Sequence, residues 1–175
     1  MSTATAATSN VIGSTFLAEL EQEAKAAREC LSRVPADKFD WKPHEKSMSF
    51  GKLAAHVAEM IGWTGATLQY PELDFAKMDY KPFEPTSTEN LLEFFDKNLA
   101  EAADVLRNTT DEQFMENWTM RNGDKIYFTM PKAVCMRSFV MNHIIHHRGQ
   151  LSVYLRLNDI AVPSIYGPSA DEGQM

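Results

Sequence analysis

Three of the chain's five histidines fall within residues 136–154, MRSFVMNHIIHHRGQLSVY. Imidazole is the side chain best suited to carry protons or hold a metal near neutral pH, and its spacing decides which of these it can do. No proline interrupts the stretch, and apolar residues recur at three- and four-residue intervals, so the spacing predicts a long helix. With His143 at zero and about 100° per residue, His147 falls near +40°, Gln150 near −20°, Tyr154 near +20° and His146 near −60°. Two imidazoles, an amide and a phenol thus share one face, with His146 at its edge. An i, i+4 histidine pair can present two nitrogens to one cation, the geometry that lets HExxH helices bind zinc. Taken alone, such a pair is equally well read as a satisfied polar spot in a core or as an exposed edge.

A third ligand would have to come from another element. Residues 50–70, FGKLAAHVAEMIGWTGATLQY, read as a helix with Ser49 as N-cap and Pro71 beyond its end. On it His56 shares a face with Leu53, Met60, Trp63 and Thr67, so a histidine points inward from a second helix. Three imidazoles in one core would face desolvation with few protein partners, which favours a shared cation. Glu59 is the carboxylate nearest to His56 in sequence and a candidate general base, though a solvated helix face is its simpler fate. Gln150 and Tyr154 are candidates to orient a ligand or touch a bound group, and each could instead serve backbone or packing. Arg148, roughly 140° from the histidine face, reads as a surface or interface residue, and His44 as an exposed loop residue.

The remaining chain has to position these groups. Residues 11–34 carry an apolar stripe from Phe16 to Val34 and end at Pro35; residues 35–49 form a connection with Trp41 as its plug. A second proline-bounded connection spans residues 71–85. Thr86 and Glu89 have capping-box spacing for a third helix, and Thr110 is placed to cap a short turn. Asn122-Gly123 between two β-prone runs predicts a tight hairpin, after which Thr129 and Pro131 would open the last helix. Four long amphipathic helices and one hairpin predict an all-α protein built as a four-helix bundle. Residues 1–10 read as a disordered lead, 11–160 as the bundle and 161–175 as a tail. Met141 and Ile145 lie opposite the histidines, so a second subunit or a loop must cover that back; a homodimer is the preferred arrangement.

At 175 residues with a formal charge of −7, the chain lacks the basic face that phosphate binding needs, and no nucleic-acid partner is expected. There is no apolar run long enough to span a membrane and no signal-peptide pattern, so a cytoplasmic protein is expected. Cys30 and Cys135 form neither a disulfide framework nor a zinc-spaced pair. No GxSxG elbow or phosphate-binding glycine loop is present.

The LAAHVAEM helix, the DWKP connection before it and the closing NHIIHHRGQLSVYLRL helix together resemble the DinB-like family of metal-dependent proteins, with HHRGQL the most specific string. The resemblance covers residues 11–157. It implies an up-down-down-up four-helix bundle with two long crossovers, often dimeric, and a divalent metal held by His56, His143 and His147. Relatives include transferases and isomerases that use low-molecular-weight thiols such as bacillithiol or mycothiol. Three neutral ligands leave a coordination position open, as in catalytic rather than structural zinc sites. The expected function is a metal-dependent enzyme, zinc first and nickel second, performing thiol S-transfer or hydrolysis on a small molecule. The alternative is a non-catalytic, stress-related bundle that binds a metal or ligand.

Overall fold

A computed structural model of the chain describes residues 9–173. Of the lead expected over residues 1–10, only Ser9 and Asn10 are among them. Helix α1 spans Val11–Leu31 and α2 spans Phe50–Leu68. Strand β1, Glu72–Asp74, is followed by a short 3-10 turn at Phe75–Lys77, and α3 runs Thr88–Asn108. Next come the short α4, Asp111–Met115, and strands β2, Asn117–Asn122, and β3, Lys125–Pro131. The last rod is continuous: α5, Lys132–Cys135, a π-helical segment, Met136–Met141, and α6, Asn142–Leu157. The chain is mainly helical, but a three-stranded sheet stands where sequence predicts a lone hairpin. No helix among the described residues is long and apolar enough to cross a membrane.

The four long helices touch in a ring, α1 on α3, α3 on α2, α2 on α6 and α6 on α1. Their inward faces supply one core, in which Leu20, Ala27, Leu53, Ile61, Phe95, Leu106, Ile144 and Leu151 are fully or almost fully buried. On the back of the last helix Met141 is wholly buried within the chain and Ile145 is half-buried. Ile160, Val162 and Ile165 of the C-terminal segment pack against the core. That segment is tied down by Arg33 to Glu172 and by Arg156 to Asp171.

Helix ends explain how the crossovers are held. Ser49 caps α2, its hydroxyl accepting from the Lys52 amide at 3.3 Å. The first amides of α2 are taken by the incoming connection, Phe50 N–H donating to the Trp41 carbonyl and Gly51 N–H to that of Phe39. Gly51 permits this approach, because a Cβ there would sit 2.9 Å from the Phe39 Cβ. At α3 the expected Thr86 cap is displaced by one residue: Ser87 is extended and its hydroxyl accepts from the Asn90 amide at 3.1 Å. Thr110 caps α4 with a reciprocal Gln113 bond, as its spacing predicts.

At α1 the cap comes from a distant residue. Asn10 precedes the helix but its side chain makes no cap; its amide nitrogen instead donates to the Leu106 and Arg107 carbonyls at the end of α3. The free amides of Val11 and Ile12 donate to the Asp111 carboxylate at 3.2 and 2.8 Å, and Ser9 donates its hydroxyl to it at 2.5 Å. These bonds, the Ser9 hydroxyl foremost, hold Asp111 below the ordinary aspartate range. A carboxyl depressed in the folded state stabilises it above the unfolded pKa and stops doing so as pH falls through the folded one. Asp111→Ala is therefore expected to lower Tm at neutral pH, and the gap from the wild type should begin to narrow as pH drops below about 4 and close only once pH is below the depressed folded-state value; a thermal melt series against pH checks this.

The sheet arises from local chemistry that the sequence shows only in part. β2 and β3 pair antiparallel from Asn117↔Pro131 to Asn122↔Lys125, leaving Gly123-Asp124 as the loop, with Gly123 at φ +58°. β1 adds in parallel to β2, Glu72 opposite Thr119, and the Asp74 carboxylate accepts from the Gly123 amide at 2.8 Å. Thr129 does not open the last helix. It lies in β3, its hydroxyl 2.9 Å from that of Thr119, and Pro131 is the last strand residue before α5. Fully buried Trp118 fixes the sheet on α2, donating its indole N–H to the Ala66 carbonyl at 3.0 Å.

Candidate metal centre

His56 reaches the site from α2 and His143 and His147 from α6, and the three offer nitrogens that all lie within 4.8 Å of one another. His56 Nε2 and His143 Nε2 are 3.4 Å apart. The ring centroids of His56 and His143 are 5.1 Å apart, while His147 is 4.6 Å from each. Two nitrogens bound at about 2.0–2.1 Å to one tetrahedral cation stand roughly 3.3–3.4 Å from each other, so the closest pair already has the spacing of shared ligands. Among the described residues this is the one such group of donor side chains, and it contains no carboxylate or thiol.

Protonation favours the same use. Burial pushes His56 down to about 4, helped by the neighbouring His147 and His143. His143 and His147 are also lowered, burial being the main cause in both; a bond to the Phe139 backbone opposes it at His143 and the Gln150 side chain at His147. All three rings are therefore neutral at pH 7 and carry lone pairs. Which nitrogen is free on His147 is set by its neighbour: Gln150 Oε1 lies 2.7 Å from His147 Nδ1. An amide oxygen can only accept, so Nδ1 holds the proton and Nε2 is left open.

The π-helical segment ends at Met141, immediately before α6 and two residues ahead of His143. Such insertions recur at functional sites because the extra residue re-aims the side chains after it. Here it carries Phe139 against His143 at 5.7 Å between centroids, and Phe139 in turn meets Trp63 at 5.2 Å and Phe128 of β3 at 5.8 Å. Sheet, α2 and last helix thus converge on an aromatic wall beside the histidines.

The other candidate residues are placed differently. Tyr154 points away from the cluster: its hydroxyl donates to the Met48 carbonyl at 3.2 Å and its ring packs edge-on against Trp41 and Phe50. Glu59 lies one turn from His56, with Oε2 accepting from the Tyr80 hydroxyl at 2.9 Å and Oε1 from the Phe83 amide at 2.8 Å. Burial and that carboxylate push the Tyr80 phenol up to about 12. His146 is exposed, its ring resting on His147 at 4.9 Å. His44 is an exposed loop residue whose Nδ1 accepts from the Lys46 amide. Cys30 and Cys135 are fully buried, and burial raises both thiols to about 11, which removes them as nucleophiles.

Arg148 is the clear departure from expectation. Rather than facing solvent or a partner, it is 1% exposed and paired with buried Glu23 of α1. Tyr166 from the C-terminal segment completes the cluster, its hydroxyl donating to the Glu23 carboxylate at 2.9 Å and accepting from Arg148 Nη2 at 2.5 Å.

A cleft of about 260 Å³ opens beside His56, lined by Met48, Lys52, His56, Glu59, Tyr80 and Phe83 among others. Residues 80–84 of its wall belong to the second crossover, and nothing in their spacing marks them as part of a site.

A model of the DinB family matches residues 1–174. The uncharacterised protein YrdA of Bacillus subtilis (strain 168) is 26% identical over 161 residues, which span 90% of this chain and 89% of that protein. A DinB-like protein from Bacillus cereus ATCC 10987 superposes with a TM-score of 0.67 at 21% identity, covering 87% of this chain and 97% of its own. The DinB-like protein YjoA of Bacillus subtilis gives 0.68 at 18% identity, covering 85% and 96%. The structural likeness is one of fold, and the sequence model carries the assignment. With that match running from residue 1 to residue 174, this chain belongs to the DinB family.

Proposed function

We propose that this protein is a metal-dependent enzyme acting on a small molecule, with His56, His143 and His147 holding a divalent cation. Zinc is the first choice and nickel the second, since imidazole suits both. The observation that carries the reading is the 3.4 Å approach of two Nε2 atoms with a third imidazole in reach, all held neutral by burial. A cation on three neutral ligands supplies Lewis acidity at its remaining positions, enough to favour the anionic form of a thiol or of water. The chain's own groups do the rest. Gln150 fixes the tautomer and tilt of His147, Phe139 and Trp63 keep water from one side of the cluster, and the cleft at His56 admits the substrate. Thiol S-transfer with a low-molecular-weight thiol is the first reaction class and hydrolysis the second. On this reading the four long helices form an up-down-down-up bundle with the cation between α2 and α6.

Removing an outer partner of a metal-bound histidine costs about 10–100-fold in affinity in known sites. Gln150→Leu is expected to weaken zinc binding by that order without abolishing it, as read by competition with a chromophoric chelator. Function is tested by assaying metal-loaded protein for thiol conjugation and for ester or amide hydrolysis, with His56→Ala as the inactive control. Turnover lost in the control supports the enzyme. Lack of turnover together with a large loss of Tm on chelation favours a cation that only pins two helices together.

A further inference from the structure

The second crossover, residues 75–87, has no regular structure after the turn at Phe75–Lys77. It nevertheless forms one side of the cleft that reaches His56, through Tyr80, Pro82, Phe83 and Glu84. Tyr80 is half exposed and Glu84 exposed, so burial alone does not hold this wall in place. Three contacts do. The Tyr80 hydroxyl and the Phe83 amide both end on Glu59, at 2.9 and 2.8 Å, and the Phe83 ring stacks on Phe94 of α3 with centroids 3.9 Å apart. Two of the three therefore depend on one carboxylate, set on α2 three residues after His56. With both oxygens accepting from the crossover, Glu59 is occupied as a fastener rather than free to take a proton from a substrate.

We infer that Glu59 is a positioning residue: it clamps residues 80–83 over the mouth of the His56 cleft and so sets the size of molecule that reaches the three-histidine centre. The inference rests on the proposed metal site and adds to it an occupant class. With Met48, Ala55, Pro82 and Phe83 as apolar walls and Lys52 and Glu84 at the rim, the clamped cleft fits a small organic molecule and excludes a polypeptide.

Cobalt(II) serves as the probe. Wild type, Glu59→Ala, Glu59→Gln and Tyr80→Phe are loaded with cobalt, and its removal by excess EDTA is followed by absorbance, together with limited trypsin cleavage after Lys77. Glu59→Ala is expected to hold the same cobalt per chain at nearly unchanged Tm but to release it about tenfold faster or more, the change that accompanies loss of one or two hydrogen bonds. Glu59→Gln can still accept from the Phe83 amide and should stay close to wild type, with Tyr80→Phe between. Equal release rates in all four proteins would overturn the clamp. Failure of the wild type to take up cobalt would instead sink the metal reading, and trypsin then decides the clamp alone: faster cleavage in Glu59→Ala upholds it and equal cleavage rejects it.

Discussion

Glu23→Ala is expected to destabilise the protein by about 3–5 kcal/mol, the range for removing one partner of a buried ion pair. Glu23 and Arg148 are 6% and 1% exposed and join α1 to α6 across the core. The loss exceeds the value of the contact because Arg148 would stay buried with its charge. A guanidinium cannot shed that charge by losing a proton, whereas a carboxyl can shed its own by gaining one. Arg148→Met should therefore cost less than Glu23→Ala. Tyr166→Phe, which removes only the third member of the cluster, should cost less than either. For a chain of this size the Glu23→Ala loss corresponds to a Tm lower by roughly 6–20 °C. Urea titrations check the series; a loss below about 1 kcal/mol for Glu23→Ala would show that the pair is solvated in solution. The same measurement bears on the site, because Arg148 is the residue after His147 and the pair fixes the rotation of α6.

His147→Ala is expected to remove metal binding and, with it, the stabilisation that a bound ion gives. A ligand present at a hundred times its Kd raises stability by about 2.7 kcal/mol, so zinc at that excess should raise the wild-type Tm clearly and leave the variant unmoved. His147 contributes a nitrogen and fixes its orientation through Gln150, and neither role passes to another residue. His146 cannot substitute, being exposed on the outer side of the His147 ring. His146→Ala should bind zinc as the wild type does, and a matching Tm response in both variants would exclude the three-histidine arrangement.

The histidine cluster is legible in the sequence because it depends on short-range geometry. The i, i+4 spacing on α6 and the inward face of α2 are both properties of a regular helix, and the observed elements are regular over those residues. The helix predicted over residues 136–154 is not regular throughout, since Met136–Met141 is π-helical and MRSFVM carries no proline or glycine to announce it. Arg148 escapes a local reading because a charge off the histidine face is normally solvated; its burial depends on Glu23, 125 residues away, and no local pattern encodes that pairing. Similarly, β1 is a three-residue strand whose existence depends on β2 being in place, and the Asp111 cap of α1 bridges residues about 100 positions apart. Ser49 and Thr110, which cap their own helices, are readable. What the sequence conceals in this chain is the set of contacts between distant segments, and the wall of the candidate cleft belongs to that set.

The most direct test is metal content by elemental analysis of untagged protein purified without added metal, for the wild type and for His56→Ala and His143→Ala. Close to one zinc or nickel per chain in the wild type, lost in both variants, is the expected result. A wild type that stays metal-free after incubation with zinc and nickel, or variants that retain the ion, would contradict the three-histidine centre on which the proposed function rests.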